Sequence, residues 1–404
     1  MDIISKLQIY KENRKTQKPD EPNLKRDVSQ KLGGTLCSNI EGSCCVIENV
    51  FPLSYLHGGY RLGDILEVDN ALLNHLNPEA SNKGIEKFLF VDTETTGLGG
   101  AGTVAFLIGV GFFNKGSFVL RQYFMRDYDD EPSVLEELNT LFKNFCGLVS
   151  FNGKAFDWNL IESRFIFNRM KPIMKSPIHL DLLYPSRRIW KLKLESCRLT
   201  SLEENILGEY RVNDIPGELI PSVYFKFLES GDTTDIKRVI SHNRSDIISM
   251  ISLLVRILSI VDNPMEETDG SYELLGAARI FEACEEKEMV VRCYEECMKN
   301  DKGFLGETAA KKLGSMYKRN RDYNSAIQCW EFILENKSAY HIPPLIELAK
   351  YYEHKARDYG KALDLTQKAL DICLKRGYIN NAVIMELRKR MSRLMGKIER
   401  AKNA

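Results

Sequence analysis

In Phe88-Leu89-Phe90-Val91-Asp92-Thr93-Glu94-Thr95-Thr96-Gly97-Leu98, four consecutive apolar residues run directly into Asp-x-Glu. The apolar run reads as a buried strand whose end carries two carboxylates to the rim of a sheet. Side chains two apart on an extended chain share a face, so Asp92 and Glu94 point the same way. Two like charges at that spacing repel unless a cation lies between them. Oxygen-only ligation suits Mg²⁺ or Mn²⁺, whereas zinc calls for His or Cys close by. A solvated acidic strand end is the bland alternative for any single Asp-x-Glu, and here two later segments supply further partners.

Downstream, Thr103 to Phe113 and Ser117 to Phe124 read as two more strands joined by Asn114-Lys115-Gly116, a hairpin-type turn. Glu131 to Phe145 has helical spacing with an acidic start, Leu148 to Phe151 is strand-like, and Phe156 to Met170 is helical again. Ile178 to Leu183 makes a further strand, and Thr234 to Ile260 a long, largely buried helix. Three strands in succession followed by alternating helix and strand predict an α/β domain over 87–264, a mixed sheet with helices on its faces. Upstream, residues 1–32 are polar and charged and read as a mobile arm. Residues 33–86 form an N-terminal extension whose role the sequence does not disclose. From 265 to 404 strand signals vanish. There Leu313-Gly314, Tyr317, Tyr323 and Ala326 are echoed by Leu348-Ala349, Tyr352, Tyr359 and Ala362, an offset close to the ~34-residue tetratricopeptide period. An α-helical, tetratricopeptide-like repeat domain is expected, with unrelated amphipathic helices as its alternative.

The second acidic segment is Val149-Ser150-Phe151-Asn152-Gly153-Lys154-Ala155-Phe156-Asp157-Trp158. A strand ending at Asn152 and a helix starting near Lys154 return Asp157 toward the same sheet edge. The third is Ser241-His242-Asn243-Arg244-Ser245-Asp246, where His242 and Asp246 stand one helical turn apart on one face. Four carboxylates and an imidazole from three elements are the parts required for two-metal hydrolysis of a phosphodiester.

Asp-Thr-Glu-Thr-Thr-Gly, Phe-Asn-(three residues)-Phe-Asp and His-(three residues)-Asp, in that order, resemble the three motifs of the DEDD superfamily of 3′-to-5′ exonucleases, which have an RNase H-like fold. The run His179-Leu180-Asp181-Leu182-Leu183-Tyr184-Pro185-Ser186-Arg187-Arg188-Ile189-Trp190, followed by Pro216-Gly217-Glu218-Leu219-Ile220-Pro221, is similar to a bacterial branch that joins this domain to a tetratricopeptide-like tail. The resemblance implies two Mg²⁺ or Mn²⁺ ions ligated by Asp92, Glu94, Asp157 and Asp246, and water activation by His242. It also lays Thr95, Thr96, Gly97 and Leu98 against the last nucleotide, with Asn152 nearby. One register departs from the pattern: His-type members place the imidazole five residues before the last Asp, and here His242 stands in the four-residue register that Tyr-type members give to tyrosine.

Other candidates are weaker. Ser186 to Lys193 mixes Arg187, Arg188 and two lysines with Trp190, a composition suited to phosphates and a stacked base, or to a solvated basic loop. Asp181 at a strand end is a candidate support for the metal ligands, while His179, two before it, reads as a structural histidine. The glycines Gly97, Gly99, Gly100 and Gly102 permit close approach of a substrate or simply make a turn. The basic stretch Arg388-Lys389-Arg390, Arg393, Lys397, Arg400 and Lys402 is a solvated cap or a nucleic-acid contact. Lys plus Arg equals Asp plus Glu, 56 each, so the whole chain has no basic field and any such surface is local. Ten cysteines lack Cys-x-x-Cys spacing, and no apolar run is long enough to span a bilayer; a cytoplasmic protein in a reducing compartment, with no membrane partner, is expected. The leading expectation is a nuclease acting on DNA or RNA, with a protein partner for the tail. Its rivals are a nonenzymatic nucleic-acid-binding adaptor and a structure-selective endonuclease.

Overall fold

A computed structural model of the 404-residue chain describes residues 27–80, 83–97, 102–335, 342–375 and 381–402. Most of the expected N-terminal arm, together with Leu98, Gly99 and Gly100, lies outside them. The chain divides into two compact units between Asp262 and Asn263, and among the described residues no helix is long and apolar enough to cross a membrane.

The first unit is built on a seven-stranded mixed sheet. Its strands are β1 (Thr35–Asn39), β2 (Gly42–Pro52), β5 (Phe88–Thr95), β6 (Ala105–Asn114), β7 (Ser117–Phe124), β8 (Gly147–Ser150) and β9 (Ile178–Asp181), in the order β1-β2-β7-β6-β5-β8-β9. The short β3 (Leu56–His57) and β4 (Tyr60–Arg61) form a separate hairpin. From β1 to β5 the pairing is antiparallel, and β5, β8 and β9 run parallel. Tight turns suffice for the antiparallel strands, while helical crossovers supply the parallel ones. The β6–β7 turn at Lys115-Gly116 has positive φ at both residues (45° and 80°), the conformation a two-residue hairpin needs.

The longer helices are α1 (Glu131–Phe142), α2 (Asp157–Phe167), α3 (Leu183–Trp190), α4 (Ile220–Ser230) and α5 (Thr234–Asp262). α1 and α4 open with proline in the first turn, where no backbone donor is lost, and α4 stops at Gly231, which takes positive φ. β6 is buried at every position from Ala105 to Phe112, as a strand covered on both faces must be. Phe106 stacks on Tyr224 of α4 with ring centroids 4.0 Å apart, and the Tyr224 hydroxyl donates to the Met125 carbonyl at 3.0 Å. Arg164 of α2 makes a buried, two-pronged pair with Glu131 of α1, both bonds at 2.6 Å. α5 approaches the sheet closely because β6 carries Gly109 and Gly111 beneath it. A Cβ on Gly109 would stand 2.1 Å from Asn243 Oδ1, and one on Gly111 2.8 Å from Ile247 Cγ2.

The N-terminal segments differ from expectation. Val28 and Leu32, expected in the mobile arm, are buried in the main core, and residues 35–52 of the extension supply two strands of the same sheet. The β3–β4 hairpin then binds α5: His57 Nε2 lies 2.8 Å from Ser249 Oγ, and Ser252 Oγ donates to the His57 carbonyl at 2.8 Å. Without these residues the buried Ser252 hydroxyl of α5 would lose this partner.

The second unit is helical throughout its described residues: α6 (Ser271–Ala283), α7 (Lys287–Asn300), α8 (Phe304–Arg319), α9 (Tyr323–Glu335), α10 (Ile342–Tyr351), α11 (Tyr359–Lys375) and α12 (Asn381–Lys402). Echoed positions have matching environments, Leu313 and Leu348 being buried and Ala326 and Ala362 fully so. The basic stretch of α12 is partly spent internally. Glu353, wholly buried as a side chain, accepts from Arg390, Arg393 and Lys397 at 2.7–3.0 Å. Burial would raise its carboxyl, but these hydrogen bonds hold it down at about 2.

Candidate active site

The pairing of β5 with β6 places Asp92 opposite Gly109 and Glu94 opposite Leu107. Gly109 faces α5, so Asp92 and Glu94 turn their carboxylates toward that helix. There Asn243 Nδ2 donates to Asp92 Oδ2 at 2.7 Å and to the Asp92 carbonyl at 3.1 Å. Asn243 is itself held by Gln122 of β7, whose Nε2 donates to Asn243 Oδ1 at 2.8 Å. The relay Gln122 to Asn243 to Asp92 runs from the middle of the sheet to its acidic rim with every donor pointed the same way.

Asp157 is the first residue of α2, and the chain reaches it through a tight turn after β8 in which Asn152 takes φ of 68°. Asp181, at the end of β9, fixes that turn by accepting from the backbone N–H of Asn152 (2.8 Å), Lys154 (3.1 Å) and Leu183 (3.1 Å). The Thr93 hydroxyl donates to Asp157 Oδ1 and ties α2 to β5. On α5, His242 and Asp246 face the same space, with His242 Nε2 3.5 Å from Asp246 Oδ2. Glu94, His242 and Asp246 present ligand atoms that all lie within 4.8 Å of one another.

The electrostatics show how crowded these acids are. Burial, and then the charges of Asp246, Glu94 and Asp157, push the Asp92 carboxyl well above its ordinary value. Burial and the charges of Asp246 and Asp157 do the same to Glu94. Burial raises Asp157 to about 6, against hydrogen bonds from Thr93 and the backbone that lower it. Clustered acids with suppressed ionisation and no thiol beside them form a donor set suited to a hard divalent cation, so the residues present fit such an ion.

Two expected substrate contacts, Trp190 and Thr96, are buried in the fold. Trp190 is fully buried at the end of α3 and offers no face to a base, and the basic loop of which it was expected to be part is helical through Trp190. Large aromatics are what a helix buries first when its apolar face meets a core. Arg187 on the same helix is exposed and Arg188 half-buried. Thr96 is buried, its Oγ1 accepting from the Val104 N–H at 3.0 Å, so it closes the β5–β6 end. Thr95 and Gly97 are half-buried, with Thr95 Oγ1 donating to the Gly97 carbonyl at 2.7 Å; Leu98 is outside the described residues. His179 is a buried partner of Ser150, its Nε2 2.6 Å from the hydroxyl.

Two residues that the sequence did not single out reach the site from the irregular strap 208–216. Asp214 Oδ1 lies 2.8 Å from His242 Nδ1. Arg211 pairs with Glu203 through two bonds of 2.6 Å and also binds Asp246 and Asp214. Arg211 Nη1 lies 3.2 Å from the same His242 nitrogen; with Nδ1 protonated toward the nearer Asp214 carboxylate, Nε2 is an acceptor on the side of Asp246. Burial opposes the charge on Asp214, yet the hydrogen bond and charge of His242, aided by Arg211, hold its acid below the ordinary value.

The close approach of α5 to β6 has a direct test in Gly109→Ala. The added methyl collides with Asn243 Oδ1 and with Ile247, whose Cδ1 would lie 2.5 Å away. Stability is expected to fall by about 1–3 kcal/mol from overpacking. Urea unfolding checks this, and an unchanged midpoint would show that α5 does not need Gly109 to sit this close to β6.

Residues 89–258 match the model of the RNase_H superfamily. The chain is 32% identical over 344 residues to the uncharacterized protein YprB of Bacillus subtilis (strain 168), the match spanning 82% of this chain and 81% of the relative.

Proposed function

Because the chain belongs to the family of Bacillus subtilis YprB and carries an RNase H superfamily domain, we propose that it is a metal-dependent nuclease hydrolysing phosphodiester bonds of DNA or RNA from the 3′ end. The observation that carries this reading is the convergence of Asp92, Glu94, Asp157 and Asp246, from β5, α2 and α5, at one end of the sheet beside an oriented imidazole. Folding alone has no use for four mutually repelling acids.

In this reading the four acids hold two Mg²⁺ or Mn²⁺ ions, which supply Lewis-acid stabilisation of the attacking and leaving oxygens. Asn243 and Thr93 keep Asp92 and Asp157 aimed. Asp214 holds His242 with Nε2 toward the acids, where it can accept a proton from the attacking water. Thr95 and Gly97 lie beside the terminal nucleotide, with Asn152 and the cations Arg187 and Arg188 along its path. Exonucleolytic polarity is supported by the order and spacing of the three motifs. The second unit serves as a tetratricopeptide-like docking domain, a reading supported by its helix succession and by the matched burial of the echoed positions.

End-labelled single- and double-stranded DNA and RNA, incubated with the full chain and Mn²⁺ or with EDTA, test this. The expected result is Mn²⁺-dependent release of mononucleotides from 3′ ends. Internal cuts would make the protein an endonuclease, and binding without cleavage under any metal would make it an adaptor.

A further inference from the structure

Arg211 pairs directly with Asp246, a proposed metal ligand. Its position is built rather than incidental. Gly208, at φ of 68°, turns the chain out of the preceding helical segment, and the Glu209 N–H donates to the Glu203 carbonyl at 2.9 Å. The Gly58 N–H donates to Glu209 Oε1 at 2.7 Å, and Arg238 Nη2 to the Asp214 carbonyl at 2.9 Å. Ile215 is buried at the far end of the strap. Between these anchors the Arg211 side chain points inward, 13% exposed, while its neighbours Tyr210 and Val212 are exposed. It meets Glu203, whose side chain is 2% exposed, then Asp214 and Asp246. Its charge also acts on Glu94.

A cation fixed on Asp246 occupies the electrostatic position that a divalent ion needs. We propose that Arg211 is a positioning residue that competes with the divalent metal for Asp246: it holds this carboxylate in the metal-free protein and yields it when an ion loads. The inference rests on the reading of Asp246 as a metal ligand. Glu203 is the other half of the device. It keeps two hydrogen bonds to the guanidinium when Asp246 is surrendered, so Arg211 is not left as an unpaired buried charge. The competition makes metal occupancy depend on ion concentration, and ties it to the strap that also carries Asp214 and orients His242.

Titration calorimetry of Mn²⁺ into the full chain separates the possibilities. Arg211→Gln, which keeps a hydrogen-bonding side chain but no charge, is expected to bind Mn²⁺ about tenfold more tightly than wild type. Its melting temperature should also rise further on adding Mn²⁺. Arg211→Lys, lacking the fork that spans Glu203 and Asp246, should fall between the two, and it provides the same comparison should the glutamine variant fail to fold by circular dichroism. A residue that merely braced the site would give the opposite result, since its loss would loosen the ligands and weaken binding. Equal or weaker Mn²⁺ affinity in the folded variants, with wild type binding normally, overturns this inference alone. Absence of Mn²⁺ binding in all three proteins overturns the metal-dependent function and this inference with it, whereas binding by the variants and not by wild type supports both.

Discussion

Replacing Asp92 by Asn is expected to reduce phosphodiester hydrolysis to background while making the metal-free protein more stable. Asp92 is a poor residue for folding: burial and the charges of Asp246, Glu94 and Asp157 all disfavour its ionised form. The amide keeps the shape and can still accept from Asn243, but it carries no charge to hold a cation or to repel its neighbours. Burial at the same site gives the metal-free protein a pH dependence with a definite sign. Asp157 is raised in the folded state from 3.8 to about 6, so the folded chain binds its proton more strongly than the unfolded one. Its contribution to stability is complete below pH 3.8 and is lost as the pH rises through about 6, a loss on the order of 3 kcal/mol. In EDTA, wild type should therefore lose stability from acid toward neutral pH, and Asp92→Asn should lose less because the raised Asp92 acid no longer titrates. Denaturant unfolding at several pH values, beside the end-label assay, checks both halves. Retained hydrolysis, or an Asp92→Asn protein less stable than wild type in EDTA, would count against the metal-ligand role.

Replacing His242 by Ala is expected to slow turnover by on the order of 10² to 10⁴, the range for loss of a general base. Its imidazole is fixed at one nitrogen by Asp214 at 2.8 Å, with the other 3.5 Å from Asp246. That arrangement suits proton acceptance by Nε2, and it also suits direct ligation, since Glu94, His242 and Asp246 stand within ligand distance of one another. Metal affinity distinguishes the roles. A base leaves Mn²⁺ binding nearly unchanged in His242→Ala, whereas a ligand takes affinity with it. Tyr in place of His242 should restore part of the rate, because it stands in the register where Tyr-type exonucleases orient the water. Turnover within a few-fold of wild type, with metal binding intact, would leave the carboxylates as the whole catalytic apparatus.

How much of this could be read beforehand varies with how local the cause is. Ser117–Phe124 is a strand over the same residues that alternation and its turn signal marked, and β5, β6, β8 and β9 shift by only a few residues at their ends. The 29-residue α5 has apolar periodicity along its whole length and was legible for that reason. Asp92 and Glu94 stand toward the end of β5 and Asp157 at the start of α2, where a short motif carries its own geometry, while Asp246 stands within α5 one turn from His242. β1 and β2 were missed because Gly42–Pro52 alternates weakly: its burial is irregular, with two adjacent cysteines buried together. Trp190 misled because an indole among cations is a sound composition for a nucleic-acid contact, and only packing decides whether the ring faces the solvent or the core.

The sequence by itself determined the mixed α/β sheet, the helical second unit and the elements that carry the acids, since these follow from periods of two and of 3.6 residues and from turn chemistry. The tertiary structure alone decided what stands around those acids. Asn243 lies inside the third motif, yet its partnership with Asp92, 151 residues away, depends on Gly109 letting α5 descend onto β6. Arg211 and Asp214 sit in a strap with no period at all, and their contacts with Asp246 and His242 exist because Gly208, Glu209, Arg238 and Ile215 fold that strap back over α5. A charge pair between an irregular segment and a helix leaves no repeating trace along the chain, because it is set by where two surfaces meet and not by the spacing of neighbours.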